Sequence, residues 1–292
     1  MLMVLPYDTV TFAPLYVADA QRFFDDEDLD LQVLYSLRGG KMGGKHQKVQ
    51  LALKGEIEFF TSVSTTIEAV QRGWGDVVAV AASSERPFFA LVRDDIREIA
   101  DLRGKRIMTG GGASRNEMLH LIESQGWTVG EDVDLVRGGA TDRMKAFEDP
   151  TVHAVAARTH YLAWARRFGF HPLAYTGGAT WFEGGIGVSR SYLEREPDAV
   201  RRMVRAFARA TDFVRDEKNR DAVVEALAYY VTYLTPESAL ESYDVHRPYF
   251  SLRLDEAGLR YMAGVLAVAK GTAVSWTADH MDTTFLMELG IV

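Results

Sequence analysis

The segment Thr109–Ile122, TGGGASRNEMLHLI, has the residue types and spacing most suggestive of chemistry. Ser114 and Glu117 have the spacing of a capping box, in which hydroxyl and carboxylate satisfy free N–H groups where a helix starts. Three glycines, Gly110–Gly112, precede them. Free N–H groups and the positive end of a helix dipole together favour an anion. Arg115 falls in the first turn, where a cation opposes the dipole. That misfit points to an acidic partner or an anionic ligand; the alternative is a solvated arginine. No Gly-Lys-Ser/Thr follows the glycines, so this is no P-loop, and GxGxxG is absent.

Other chemistry finds little support. The seven histidines, His46, His120, His153, His160, His171, His246 and His280, show none of the spacings HxxxH, HExxH or HxH. A metal site is therefore not expected, and no cofactor is implied. The chain has no cysteine, which removes disulfides, thiolate metal sites and thiol nucleophiles. No GxSxG elbow marks a hydrolase. Asp25–Asp28 reads as a solvated acidic turn rather than a cation site. Lys41, Lys45 and Lys48 read as a solvated basic face. Trp181 and Phe182, in GGATWFEGG, lie between glycine pairs, where an aromatic ring either stacks on a ligand or covers a lobe edge.

These residues need elements to position them, and strands alternate with helices. Strands are expected at Leu2–Tyr7, Leu29–Leu37, Ile57–Phe60, Val77–Ala82 and Pro87–Val92, then at Arg106–Met108, Val133–Val136, Val152–Ala156, Pro172–Tyr175 and Ile186–Val188. Helices are expected at Pro14–Phe24, Lys45–Lys54, Thr65–Arg72, Ser114–Ser124, Arg143–Phe147 and His160–Phe168. From Pro197 onward helical stripes dominate. Such alternation predicts parallel sheets with helices on both faces. Ligands of open α/β sheets bind beyond the carboxyl ends of the strands. The residues there are Tyr7, Thr9, Thr11 and Phe12; Arg38, Gly39 and Gly40; Thr61, Ser62 and Ser64; Ser83 and Ser84; Gly110, Gly111, Gly112 and Ser114; and Arg158 and Thr159. Hydroxyls and glycines dominate, a set suited to neutral hydrogen bonds with a small molecule.

Four ordered segments carry a family resemblance: APLYVADAQRFFDDEDLDLQV (Ala13–Val33), LALKGEIEFF (Leu51–Phe60), IREIADLRGKRI (Ile96–Ile107) and LVRGGATDRMKAF (Leu135–Phe147). They resemble the SsuA/TauA/NMT1-like (THI5-like) solute-binding proteins of ABC importers. The resemblance implies an α/β type II periplasmic-binding-protein fold: two Rossmann-like lobes, a hinge and a helical C-terminal tail. Lobe 1 would comprise residues 1–91 and 187–292 and lobe 2 residues 92–186, with crossovers near Ala90–Val92 and Gly185–Val188. A small anionic or aromatic solute (sulfonate, carboxylate or pyrimidine-like) would lie in the inter-lobe cleft and be enclosed by hinge closure. The family's contact positions fall on Thr11, Phe12, Thr61, Ser62, Ser64, Gly112, Ser114 and Arg115. The family also holds enzymes. Its pyrimidine precursor synthase uses a lysine and a histidine where this chain has Ser62 and Thr66, together with a cysteine-rich motif. Its desulfinases use a catalytic cysteine. The expectation is therefore a non-enzyme; the alternative is a cytosolic enzyme or ligand sensor acting on a small heteroaromatic or carboxylate.

Composition narrows the partners. With 33 basic and 41 acidic residues among 292, the net charge of −8 is unsuited to nucleic acid. No apolar run is long enough to span a bilayer. A monomer is expected, with a small-molecule ligand and an ABC permease as partners. MLMVLPYDTV lacks the n-region, h-region and cleavage site of a signal peptide. The expected location is extracytoplasmic if an export signal has been removed, and cytoplasmic if Met1 is the native start.

Overall fold

A computed structural model describes residues 1–6, 9–36, 44–86, 89–110, 113–156, 161–174, 180–231 and 234–291. Tyr7, Arg38, Gly39, Gly40, Gly111, Gly112, Arg158 and Thr159 lie outside the described residues. The chain divides into two compact units: Met1–Arg86, Trp181–Ala263 and Val274–Val292 form the first, Pro87–Thr180 and Gly264–Ala273 the second. Their boundaries at Arg86/Pro87 and Thr180/Trp181 precede the positions expected at 91/92 and 186/187.

Unit 1 opens with strand β1 (Leu2–Pro6), a 3-10 turn (Val10–Phe12), helices α1 (Ala13–Ala20) and α2 (Phe23–Asp26), strand β2 (Gln32–Ser36), helix α3 (Lys45–Leu53), strand β3 (Phe59–Phe60), helix α4 (Val63–Gln71), and strands β4 (Val77–Ala81) and β5 (Ser84–Arg86). The single helix expected over Pro14–Phe24 is broken, because Arg22 takes a left-handed conformation at φ 58°. Unit 2 contains β6 (Phe89–Arg93), β7 (Arg106–Thr109), α5 (Ala113–Ser124), β8 (Asp134–Arg137), α6 (Ala140–Ala146), β9 (Ala154–Ala156), α7 (Leu162–Arg167) and β10 (Phe170–Ala174). The chain continues in unit 1 with β11 (Trp181–Glu183), β12 (Ile186–Ser189), α8 (Arg190–Arg195), α9 (Pro197–Arg215), α10 (Arg220–Tyr230), α11 (Pro236–His246), α12 (Glu256–Lys270) and α13 (Thr284–Glu288). Helix α12 contributes residues to both units.

The sheet of unit 1 runs β2-β1-β3-β12-β4, and that of unit 2 runs β10-β6-β9-β7-β8. Both are mixed, which corrects the expectation of parallel sheets. Strand β12 is antiparallel to β3 and β4, and β6 is antiparallel to β9 and β10. Apolar periodicity reports burial on both faces, not strand direction. Strands β5 and β11 form a separate antiparallel ribbon.

In unit 1 the core packs around β4, where every residue is buried, and around the stripe Val200, Met203, Val204, Phe207, Thr211 and Val214 of α9. The acidic turn is more than a solvated face. Arg205 pairs with Glu27 at 2.7 Å and Arg209 with Asp26 at 2.6 Å, while Arg202 donates to the Asp28 carbonyl at 3.1 Å. The Arg209 guanidinium also lies over the Phe23 ring at 4.2 Å. The run thus ties α2 to α9. In unit 2, Phe147 packs edge-on against Phe170 at 5.1 Å.

Candidate functional site

At the carboxyl edge of the unit 1 sheet, four stretches of chain meet. Thr11 and Phe12 follow β1, Thr61 and Ser62 follow β3, and Ser83 follows β4. Gly184 and Gly185 join β11 to β12, which enters the sheet at this edge because it runs antiparallel. The Ser83 hydroxyl donates to the Thr11 carbonyl at 2.5 Å, and the Ser83 N–H to the Glu183 carbonyl at 3.1 Å. The Val63 N–H donates to the Gly184 carbonyl at 2.8 Å. Only glycine fits at Gly185: φ is +90°, and a Cβ there would lie 2.2 Å from the Ala81 carbonyl oxygen.

Around this frame the hydroxyls are ordered. Thr9 and Thr11 share a hydrogen bond at 3.0 Å, as do Ser62 and Ser64 at 3.0 Å. The Thr65 hydroxyl accepts from the Ser62 N–H and donates to the Thr61 carbonyl, both at 3.2 Å. Thr11, Thr61 and Ser83 are buried, whereas Ser62 and Ser64 are half-buried at the start of α4. Ser84, on β5, is fully buried and its hydroxyl has no hydrogen-bond partner.

Two lysines of α3 approach the same edge. Lys45 pairs with Glu68 at 3.0 Å and lies 3.4 Å from the Ser64 carbonyl. Lys48 is 6% exposed, and its ammonium donates to the Thr61 hydroxyl at 3.4 Å; that hydroxyl in turn donates to the Val4 carbonyl at 3.2 Å. Lys48 is thus part of this buried edge, not of a solvated face. The sequence signal for it was its place beside Val49 and Ala52 on the inner stripe of α3. Trp181 lies on a strand rather than in a loop, buried edge-on against Tyr261 at 6.3 Å between ring centres. At the other end of this sheet is a pocket of about 130 Å³, lined by Lys54, Glu58, Ser189, Tyr192 and Arg195 among others. Burial, with Glu58 and Glu196 nearby, pushes the Tyr192 phenol up to about 12.

The carboxyl edge of the unit 2 sheet is built differently. Helix α5 begins at Ala113, so Ser114 sits inside the first turn instead of capping it. Ser114 and Glu117 are buried. The Arg115 guanidinium donates to the Thr109 hydroxyl at a long 3.5 Å. Arg143, not singled out from the sequence, converges on the same place. A Cβ on Gly110 would lie 3.0 Å from the Arg143 Cζ and 3.2 Å from the Ser114 Oγ. The Arg143 guanidinium lies over the Tyr161 ring at 5.0 Å. The Arg143 guanidinium and the Ser114 hydroxyl therefore lie against Gly110, with the Arg115 guanidinium on the hydroxyl of the preceding residue, a donor set suited to an oxyanion. Among the described residues, no group of three or more His, Asp or Glu is arranged to hold a metal ion. No helix among them is long and apolar enough to cross a membrane.

Residues 9–220 match the NMT1/THI5-like family. No curated protein matches the chain. Solved structures resemble it over nearly its whole length. The periplasmic aliphatic sulphonate binding protein SsuA from Escherichia coli is 17% identical, with a TM-score of 0.74, over 96% of this chain and 95% of that one. The alkanesulfonate-binding protein SsuA from Xanthomonas axonopodis pv. citri, bound to MOPS, is 19% identical, with a TM-score of 0.69, over 97% and 98%. The desulfurization enzyme DSZB is 17% identical, with a TM-score of 0.63, over 99% and 97%. The fold is therefore the type II periplasmic-binding fold with a helical C-terminal tail.

Proposed function

The chain belongs to the NMT1/THI5-like family, and from that premise we propose that it is a solute-binding protein which captures a small molecule for an ABC importer. The observation that carries this reading is the edge of the unit 1 sheet, where the hydroxyls of Thr11, Thr61, Ser62, Ser64 and Ser83 gather on a backbone held by Gly185. Ordered neutral donors and acceptors of this kind suit hydrogen bonds to the polar groups of a small solute. The solute class is a small anionic or aromatic molecule: a sulfonate, a carboxylate or a pyrimidine-like compound. A sulfonate-binding protein of the same fold supports that range. On this reading the protein works outside the cytoplasm, as a monomer that delivers its solute to a permease.

The test is a thermal-shift panel of sulfonates, carboxylates and heteroaromatics. A solute at a hundredfold its Kd stabilises the folded state by about 2.7 kcal/mol, which is read as a clear rise in Tm. The hinge closure implied by the family resemblance predicts a smaller radius of gyration in small-angle scattering with that solute. A panel in which no member raises Tm sinks the reading.

A second reading, a cytosolic enzyme or sensor, is favoured by one observation: an enzyme shares this fold. Against it, the chain lacks cysteine and carries Ser62 and Thr66 where the synthase of this family uses lysine and histidine. Mass spectrometry of a bound solute after prolonged incubation decides. Recovery of the solute unchanged supports capture; turnover supports the enzyme.

A further inference from the structure

The chain passes between its two units at four places, and one of them lies inside a helix. Ala263 ends a stretch of unit 1 and Gly264 begins a stretch of unit 2, yet α12 runs unbroken from Glu256 to Lys270. A rigid helix across such a boundary resists movement of one unit against the other, so the residues at the crossing decide how stiff it is. Glycine in a helix interior is unfavourable relative to alanine, because its backbone has more freedom to lose. A crowded neighbour can require it all the same, but a Cβ at Gly264 would meet nothing within 4 Å. Packing therefore does not explain this glycine. Gly258, in the first turn of the same helix, differs: it is buried, and its N–H is taken by the Asp255 carboxylate at 2.7 Å.

The residues just before Gly264 are tied to unit 1. The Phe182 N–H donates to the Met262 sulfur at 3.4 Å, and the Gln71 amide donates to the Ala263 carbonyl at 2.7 Å. That carbonyl is also the acceptor an α-helix offers to the N–H of Ala267. Opening the helix ladder there leaves the oxygen bonded to Gln71, so the penalty for a bare buried carbonyl is avoided. A side chain that enters the ladder is one cause of helix kinks. The chain returns to unit 1 between Ala273 and Val274, within a run, Gly271–Ser275, in which every residue is exposed.

We propose that Gly264 is a hinge within α12: the helix bends there, with residues 256–263 held by unit 1 and residues 264–270 moving with unit 2. The unbroken α12 is one state of this hinge and a bent α12 the other. Solute capture supplies the need for such movement, so the inference rests on the solute-binding reading and deepens it.

The chain has no cysteine, so a pair of introduced ones can be spin-labelled without background. Glu123→Cys on α5 of unit 2 and Glu225→Cys on α10 of unit 1 replace exposed residues. Double electron–electron resonance on the full chain reads the distances between the two labels. With Gly264 in place, the unliganded protein is expected to show a broad distribution with two populations. Gly264→Ala, whose methyl group enters open space, is expected to shift their ratio about fivefold towards the unbroken helix, the scale of the glycine–alanine difference in a helix interior. Gly44→Ala, equally uncrowded but at the start of α3, should leave the ratio unchanged. A single narrow distance with Gly264 in place, or the same ratio with Gly264→Ala, overturns the hinge, whether or not a solute raises Tm. Failure of every solute in the thermal-shift panel, with the ratio shift present, defeats the solute-binding reading and leaves the hinge standing.

Discussion

The carboxyl edges of the two sheets use the same small residues in opposite ways. In unit 1 the hydroxyls of Thr11, Thr61 and Ser83 and the ammonium of Lys48 are buried, and Gly185 is wedged against the backbone of Ala81 and Ala82. In unit 2 the buried Thr109, Ser114 and Glu117 are joined by two partly exposed arginines on long side chains: Arg115, which reaches the Thr109 hydroxyl, and Arg143, whose guanidinium lies against Gly110. The first edge is part of its unit's core, so its geometry is fixed by packing. At the second, the two guanidinium groups are laid on from outside the buried part. The same kind of substitution should therefore cost folding in unit 1 and mainly binding in unit 2.

The largest expected effect follows directly. Gly185→Ala places a methyl group 2.2 Å from the Ala81 oxygen and 2.9 Å from the Val63 Cγ2, at a φ of +90° that side chains rarely adopt. Backbone and core atoms give way only at a cost of about 3–5 kcal/mol. Chemical denaturation is the measurement, with Gly44→Ala, whose added carbon meets nothing within 4 Å, as the control expected within about 0.5 kcal/mol. A Gly185→Ala loss below about 1 kcal/mol would break the claim that this edge is core.

The sequence made the alternation of elements legible, because burial on two faces leaves an apolar run in each strand and a stripe on each helix. It left direction unreadable: β6 and β12, the strands that run against the rest of their sheets, are apolar runs like the others. The carboxyl edge of the unit 1 sheet was visible in Thr11, Phe12, Thr61, Ser62 and Ser64, since loops after strands share one edge whatever the details. Lys48 was harder. A lysine beside an apolar stripe usually extends its head to water, and only the position of Thr61 shows that this one does not. Arg143 was missed because its helix was expected to begin at Arg143, whereas α6 begins at Ala140. That shift moves the arginine from a helix start into the turn of helix that faces Gly110. Beginning the helix directly after Gly138-Gly139 would have exposed it to the rule that loops after strands carry ligands.

The arginine edge supplies the intermediate effect. Arg143→Ala removes a guanidinium that rests on Tyr161, a contact worth about 0.5–1 kcal/mol at an exposed site. Denaturation should register no more than that. Affinity for an anionic solute is expected to fall about tenfold, the scale of one charge-assisted hydrogen bond. Gly110→Ala should behave alike, since the atoms it meets first are the far end of a flexible side chain. A stability loss as large as that of Gly185→Ala would show that unit 2's edge is core as well, and the contrast would fail.

The smallest effect separates the units by pH. His153, at the entry to β9, has a half-buried ring. Burial holds its pKa below the usual histidine value, helped by the nearby charges of Lys105 and Arg93. Folding therefore favours the neutral ring, and protonation favours the unfolded chain. The contribution of His153 is complete above the unfolded value of about 6.5 and is lost as pH falls through that value towards the lower folded one. Hydrogen exchange followed by mass spectrometry reads the two units separately. Between pH 7 and pH 5, after correction for intrinsic rates, protection should fall in β7 and β9, the neighbours of His153. His153→Gln, which cannot titrate, should flatten that dependence. An unchanged slope in the variant would assign the acid sensitivity of unit 2 to groups other than this histidine.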